Sequence, residues 1–238
     1  NNVEKLKQDY SYLYNLNERV LKELTKSLNT YHGVNHPLRY WRIVIGPWTL
    51  SFLSTIWDRF EVLQKAFEEY DFDKTIAADI DELKITPRDF LNFGKSLLGH
   101  TWNHYIFSEI IKFKYSQKIN IETVPYKGIY RSEEVRQKNN SLREKILTSM
   151  DAFFGKIQKN YKVVFVSSYF NIVSLFKLSL SLRQLPRLNS NFFKKSCDHI
   201  KAKKRSTLHF NLQAENGFEN FLSFIITKQI PICYVEAY

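Results

Sequence analysis

The chain has 238 residues, a formal net charge of +11 at pH 7, and 44% hydrophobic and 25% charged residues. That apolar share can build a sizeable core and excludes a disordered chain. Seven glycines and six prolines are few for this length, which excludes collagen-like and low-complexity architectures. Long helices in one large domain or two small domains are therefore expected.

The cysteine and methionine content bears on the setting of the chain. Cys197 and Cys233 are too few for a disulfide framework or a four-thiolate zinc site, so a reducing, cytoplasmic setting is predicted. The chain begins at Asn1 and its only methionine is Met150, so we expect a fragment or a processed product of a longer chain. No apolar run reaches the ~18 to 20 residues that span a bilayer, so no membrane span is predicted.

The first half of the chain shows mainly helical patterns. Apolar residues recur at steps of three and four over residues 3–28, which predicts an amphipathic helix that Gly33 ends. A second helical stretch is expected over residues 40–70. Residues 75–80 fit a strand or a loop. Thr-Pro-Arg-Asp at residue 86 carries helix start signals, and this helix is expected to run to about residue 114.

The second half alternates between helical and strand patterns. Residues 118–125 alternate apolar and polar side chains, as a half-buried strand does. Residues 161–169 form a nearly continuous β-branched and apolar run, which is typical of a strand covered on both faces. Helices are predicted over residues 132–157, 171–185 and 218–226, and a final strand over residues 229–236.

This alternation predicts an α/β fold with a parallel sheet covered by helices. Residues 163–167 would form its central strand, flanked by parallel strands near residues 119–124 and 232–235. A helical section over about residues 1–115 would precede the sheet. We expect the whole chain, 1–238, to be a single lobe.

Basic residues concentrate in residues 183–205, where eight lysines and arginines accompany one acid, Asp198. This segment predicts a basic surface loop, and the overall charge implies an anionic partner. Nucleic acid, a phosphorylated or carboxylated small molecule and a membrane surface all fit that charge. We expect peripheral membrane association through residues 183–205, with nucleic acid the weaker candidate.

A first candidate binding segment gathers cations and aromatic rings. Arg39 and Arg42 lie beside Tyr40, Trp41 and, slightly later, Trp48. Aromatic planes next to guanidinium groups suit recognition of sugars or nucleobases and of the carboxylates or phosphates that they bear. The alternative is a helix start whose rings pack in the core while its arginines are solvated.

Asp58 is an isolated acid on an otherwise apolar helix and needs a partner. Arg39 or Arg42 could supply it, which would make Asp58 structural. Alternatively, Asp58 is a base or a ligand of a sugar hydroxyl. The neighbouring Arg59 is not expected to pair with it, because adjacent helical residues point in different directions.

His100 and His104 lie one helical turn apart, a spacing that could hold a divalent metal. The residues between them include Trp102 and Asn103 but no glutamate or third ligand, so no metal is predicted. A polar cluster in a substrate cleft and ordinary packing both remain open. The chain also lacks a Gly-x-Gly-x-x-Gly motif, a phosphate loop and a Cys-x-x-Cys pair, so no cofactor is expected in it.

Four segments together resemble a known family. Residues 39–48 (RYWRIVIGPW), Asp58-Arg59, residues 102–104 (WNH) and residues 218–236 are similar to a bacterial family of surface-carbohydrate transferases of O-antigen type. The first two segments are the most specific part. The chain departs from the pattern at Ala237, where a glycine is expected.

The resemblance implies a Rossmann-like lobe, on the acceptor side, of a two-lobed glycosyltransferase in cell-surface polysaccharide biosynthesis. A nucleotide-sugar donor would bind in a second lobe, and the partners would be an anionic glycan or the nucleotide-sugar, in the cytoplasm at the inner face of the membrane. Asp58 and His104 would perform acid–base catalysis. Substrate-binding roles would fall to Arg39, Tyr40, Trp41, Arg42, Trp48, Arg59, His100, Trp102 and Asn103. The alternative is a non-catalytic basic module that binds nucleic acid or acts as a scaffold.

Overall fold

The computed structural model describes residues 3–126, 149–150, 153–157, 163, 171–185, 205–236 and 238. The chain divides into two compact units, one formed by residues 1–135 with 199–238 and the other by residues 136–198. In chain order the elements are α1 (Val3–His32), α2 (Leu38–Val44), α3 (Gly46–Glu69), β1 (Lys74–Asp79), α4 (Glu82–Ile85), α5 (Phe90–Leu97), α6 (His100–Tyr115), β2 (Asn120–Pro125), α7 (Ile172–Ser181), a 3-10 turn (Arg205–Thr207), α8 (Gly217–Gln229) and α9 (Ile232–Val235).

Helix α1 confirms the amphipathic helix predicted from the spacing of apolar residues over residues 3–28. α1 ends before Gly33, which has a φ of +68°, a conformation that glycine adopts without steric penalty. The helical stretch expected over residues 40–70 is two helices, α2 and α3, which meet at Ile45. Pro47 lies in the first turn of α3, where its missing amide hydrogen removes no helical hydrogen bond. The core-facing side chains of α1 are Leu16, Val20, Leu21, Leu24 and Leu28.

The helix expected over residues 86–114 is interrupted at Gly99 and forms α5 and α6. Asp89, rather than Thr86, caps α5, because its Oδ1 accepts a hydrogen bond from the amide of Asn92 at 2.7 Å. Asn103 Nδ2 donates to the carbonyls of Leu97 and Gly99, each at 2.8 Å. These bonds satisfy carbonyls at the end of α5, so the interruption is stabilised by a side chain of the following helix.

The sheet contains β1 and β2, which pair in parallel with Lys74 opposite Asn120 and Asp79 opposite Pro125. β2 confirms the strand predicted over residues 118–125, and β1 decides for a strand where residues 75–80 fitted a strand or a loop. α4, α5 and α6 form the crossover that parallel pairing requires. A two-stranded sheet is marginal by itself and depends on packing against helices. Ala77 and Ala78 of β1 are accordingly buried beneath α6.

The predicted α/β fold with a Rossmann-like parallel sheet covered by helices is wrong. The described part of the chain is mostly helical, and its sheet has two strands. The strand expected over residues 229–236 is the end of α8 followed by α9. Pro231 precedes α9 and has no amide hydrogen, so the apolar run turns into a short helix instead of joining a sheet. Of the predicted central strand, residues 164–167 lie outside the described residues.

Helix α8 confirms the prediction over residues 218–226 and runs through the core. Near its start, the carboxylate of Glu219 is fully buried and accepts both Nη groups of Arg19, at 3.1 and 3.0 Å, and the hydroxyl of Tyr12 at 3.1 Å. The amide of Glu215 donates to the same carboxylate at 2.9 Å. A buried carboxylate is tolerated only when it is paired and hydrogen-bonded, as here. The apolar side chains that α8 buries are Phe218, Phe221, Leu222, Ile225 and Ile226.

The C-terminal end of α8 is closed by Arg205. Its Nη1 donates to the carbonyls of Thr227 at 2.9 Å and Ile230 at 2.6 Å, while Nε and Nη2 each bind one carboxylate oxygen of Glu236 at 2.7 Å. The side chains of Arg205 and Glu236 are only 11% and 10% exposed. Arg205 therefore belongs to the fold, whereas residues 186–204 of the basic segment lie outside the described residues.

The second unit is described in part. Asn171 caps α7 by accepting from the amide of Ser174 at 2.8 Å, and α7 confirms the helix predicted over residues 171–185. Gln184 is buried and bonds both backbone groups of Val163, at 2.7 and 3.2 Å. Residues 149–150 and 153–157 of the helix predicted over 132–157 are helical. Across the described chain, no helix combines the length and apolarity that crossing a membrane requires.

The first testable prediction concerns Arg205. Replacing it by methionine (Arg205→Met) leaves the nearly buried Glu236 carboxylate without its cation and frees the carbonyls at the end of α8. We expect the free energy of unfolding, measured by urea denaturation, to fall by about 3 to 5 kcal/mol. Adding Glu236→Met to this variant should recover part of the loss.

Lys26→Met is the matched control, because Lys26 pairs with Glu23 at the surface and its side chain is 71% exposed. We expect it to cost less than about 1 kcal/mol. A loss below 1 kcal/mol for Arg205→Met as well would show that the Arg205–Glu236 pair does not support the fold.

Candidate functional site

A groove of about 870 Å³ lies between the N-terminal half of α1 and the second half of α3. It combines carboxylates, lysines and aromatic rings. The groove residues used below are Lys5, Asp9, Tyr10, Trp57, Asp58 and Glu61. Asp58 thus brings one of the two predicted acid–base residues into a cleft large enough for a small molecule.

The charges of the groove are partly paired. Lys5 Nζ binds Asp9 at 2.9 Å and Glu61 at 3.0 Å, and so joins α1 to α3 across the groove. The hydrogen bonds from Lys5 to Asp9 and Glu61 raise the pKa of that lysine above its usual value. Asp9 and Glu61 are 27% and 23% exposed, whereas Asp58 is 61% exposed, so Asp58 presents the most accessible of these three carboxylates.

Asp58 and Arg59 form an ion pair in the structure, which their adjacency on the helix did not imply. Arg59 Nη1 binds Asp58 Oδ2, and Arg59 Nε donates to Asn103 Oδ1 at 3.1 Å. The Asp58 side chain is 61% exposed, so this carboxylate is not the partner of a buried arginine. Arg59 and Asn103 are 44 residues apart in the sequence, so these contacts join the Asp58-Arg59 segment of α3 to residues 102–104 of α6.

The arginines of the first segment do not contact Asp58. Arg42 instead pairs with Glu18 of α1, with 2.7 Å between Nη2 and Oε2, and this contact lowers the pKa of Glu18. Arg39 is exposed. Tyr40 shares a hydrogen bond between its hydroxyl and that of Tyr238 at 2.7 Å. These residues therefore lie apart from the groove.

Three predicted aromatic residues lie in the core. Trp41, Trp48 and Trp102 are each at most 2% exposed. Trp41 Nε1 donates to Asn29 Oδ1 at 2.8 Å, and Trp102 Nε1 donates to Gln229 Oε1 at 2.9 Å. The structure thus places these rings according to the packing alternative, with no face open to a ligand.

His100 and His104 are both exposed on α6. His104 Nε2 accepts a hydrogen bond from the amide of Ala78 at 3.3 Å and therefore contacts β1; it does not line the groove that contains Asp58. Within the described ranges, no group of three or more histidine, cysteine or acidic side chains is arranged to hold a metal ion. The sequence segments also predict one shared cleft, which the structure does not form from these six residues: Trp41, Arg42, Asp58, Trp102, Asn103 and His104.

Trp57 lines the groove but is not among the site residues predicted from the sequence. This indole lines the groove beside Asp58 and is only partly buried, unlike the other tryptophans. Its ring lies 5.1 Å from Tyr12 and 4.9 Å from Phe218, which fix its position. Adjacency to Asp58 is the signal that could have pointed to it, but its exposure depends on distant residues.

The second testable prediction concerns the link between α3 and α6. Asn103→Leu removes the acceptor for Arg59 and the donor to two carbonyls, so we expect the free energy of unfolding to fall by about 1 to 3 kcal/mol. Asn220→Leu is the control, because Asn220 is an exposed helical asparagine with one hydrogen bond to a carbonyl. Equal, small effects in both variants, measured by urea denaturation, would contradict a supporting role for Asn103.

Comparison with known proteins adds the class of activity. The model of the LIC12162 family transferase matches residues 1–238. No curated protein and no solved structure matches the chain. Because the match extends over every residue, including the groove and the segments that support it, the chain belongs to the LIC12162 family of transferases.

Proposed function

We propose that this transferase moves a sugar from a nucleotide-activated donor to a hydroxyl group of a cell-surface glycan, and that the acceptor binds in the groove between α1 and α3. The observation that carries the proposal is that Asp58 and Trp57, neighbours in α3, both line that groove. A carboxylate accepts hydrogen bonds from sugar hydroxyls, and an aromatic side chain offers apolar contact area to a ring. The membership in a transferase family supports group transfer as the reaction class.

Asp58 is the proposed general base. It takes the proton from the acceptor hydroxyl, whose oxygen forms a bond to the anomeric carbon of the donor, and the nucleotide leaves with the bonding electron pair on its phosphate. Arg59 contacts one carboxylate oxygen and orients the side chain, while the exposure of Asp58 leaves room for the acceptor. Following the resemblance, we assign the donor to a second lobe outside these 238 residues.

His104 remains a proposed acid–base residue, but it does not line the groove and would act apart from Asp58. Its Nε2 is engaged by the amide of Ala78, so Nδ1 would have to exchange the proton. Peripheral association with an anionic membrane surface is likewise a proposal. It would involve the basic residues of segment 183–205 other than Arg205, whose guanidinium is committed to Glu236 and to α8.

The third testable prediction is the effect of Asp58→Asn, which keeps the size of the side chain and removes its charge. We expect sugar transfer by the full-length protein to fall by about 10² to 10⁴, the usual contribution of a general base. The melting temperature should change little, because an exposed ion pair contributes at most about 1 kcal/mol. Transfer is measured with labelled nucleotide-sugars and a surface-glycan extract, and unfolding is measured on the same preparation.

Glu215→Gln is the matched control, because Glu215 is another exposed carboxylate, 68% accessible, that pairs with Arg19 and does not line the groove of Asp58. It should retain full transfer. Full activity of Asp58→Asn would show that Asp58 is not the general base. Lost activity together with a clearly lower melting temperature would assign Asp58 a structural role.

A further inference from the structure

A second pocket, of about 310 Å³, lies on the other side of Trp57 from the acceptor groove. Trp57 and Glu61 line both cavities, so the two meet at these side chains. The volume is at the lower end of ordinary ligand pockets. It suits one sugar ring rather than a chain of rings.

The floor of this pocket is aromatic and fixed in position. Phe218 packs edge-on against Trp57, with 4.9 Å between ring centroids, and against Phe60, with 5.4 Å. Phe60 and Phe218 are 4% and 3% exposed, so their rings are held by the core. They fix the position of the partly exposed Trp57 ring, which can offer apolar contact to a sugar without the entropy loss of ordering a flexible side chain.

The rim of the pocket carries a cation, Lys114, that forms no direct ion pair with any described residue. Lys114 Nζ lies 4.5 Å from the centroid of the Phe60 ring and donates to Gln64 Oε1 at 2.9 Å. Among the residues that the structure describes, no carboxylate lies within ion-pair distance of this ammonium. Glu61, the acid on the rim, is bonded to Lys5 instead.

Burial lowers the pKa of Lys114, and the charges of Glu68 and Glu61 offset part of that shift. Neither carboxylate reaches Nζ directly, so an acidic group of a ligand could form the direct ion pair. Gln64 and Asn216, which also line the pocket, can accept and donate hydrogen bonds to ring hydroxyls. The pocket therefore combines an apolar floor, a cation, neutral polar groups and Glu61, whose carboxylate is bonded to Lys5.

We propose that this pocket binds one sugar ring bearing a carboxylate or phosphate group, with Lys114 paired to the acid and the sugar ring in contact with Trp57. This inference rests on the proposed function, since it names the acceptor as an acidic glycan whose charged sugar lies beside the sugar that receives the transfer. The charge of +11 favours the approach of such an acceptor.

The test measures binding rather than transfer, and it uses Asp58→Asn protein so that its result does not depend on catalysis. Glucuronate, glucose 6-phosphate and glucose are titrated while tryptophan fluorescence is recorded. Trp41, Trp48 and Trp102 are buried, so the response reports mainly on Trp57, and Trp57→Phe should abolish it. We expect at least one acidic sugar to bind about tenfold or more tightly than glucose.

Lys114→Gln should remove that preference, and Lys114→Arg should keep it. Lys118→Gln is the matched control, because it removes the same charge from an exposed lysine that follows the end of α6 and does not line the pocket. Binding of glucuronate alone would identify a carboxylated glycan, and binding of glucose 6-phosphate alone a phosphorylated one.

The preference for acidic sugars should also weaken as salt concentration rises, which can be measured on the chain without any change at Lys114. Equal affinity for acidic and neutral sugars, no binding of any of the three, or an unchanged preference in Lys114→Gln would overturn the proposal. Each of these results leaves the Asp58 transfer experiment intact, so the two proposals fail separately.

Discussion

The buried carboxylate of Glu219 is the constraint on which the larger unit depends. It is fully enclosed, so each of its hydrogen bonds from Arg19, Tyr12 and the amide of Glu215 compensates for lost hydration. Arg19 and Tyr12 belong to α1, so this network fixes the start of α8 against the first helix. Burial raises the pKa of Tyr12 to about 12, which keeps its hydroxyl protonated as a donor to the carboxylate. Arg205 fixes the opposite end of α8, so the central helix is held at both ends by arginines.

The same network positions the candidate site. Tyr12 and Phe218, which lie next to Glu219 in space and in sequence, pack on Trp57 at 5.1 and 4.9 Å. Trp57 therefore takes its orientation from the polar network at the start of α8, and it lines both the groove of Asp58 and the pocket of Lys114. A charged group in the core thus sets the geometry of an aromatic surface at the exterior. Sites held by fixed side chains lose little free energy in ordering when a ligand binds.

Local patterns predicted the helices well and the sheet poorly. The spacing of apolar residues in α1 depends only on the helical repeat, so it could be recognised without knowledge of the partners. The break at Gly99 is stabilised by hydrogen bonds from Asn103 to the carbonyls of Leu97 and Gly99. Helix propensities of single residues do not include such a side-chain contact. The run over residues 229–236 is apolar because both α8 and α9 are packed in the core, with Ile230 and Val235 fully buried. Over so short a length, a buried helix and a buried strand have similar amino-acid compositions, so the apolar run alone cannot distinguish them. Pro231 caps α9 and cannot donate a hydrogen bond to a sheet, which favours the helix.

The candidate site shows why distinctive residues and functional residues need not coincide. The segment from Arg39 to Trp48 stands out in the sequence because it is rich in aromatic rings, yet Trp41 and Trp48 occupy the core. Two buried indoles restrict which side chains can pack around them, so a segment can be distinctive in sequence without binding a ligand. Asp58 lies in the groove because its helix turns that position outward, and Arg59 connects it to Asn103 through a contact between residues distant in sequence. Side chains that packing leaves exposed beside a fixed aromatic wall are free to contact a substrate, and Trp57, Asp58 and Lys114 meet that condition.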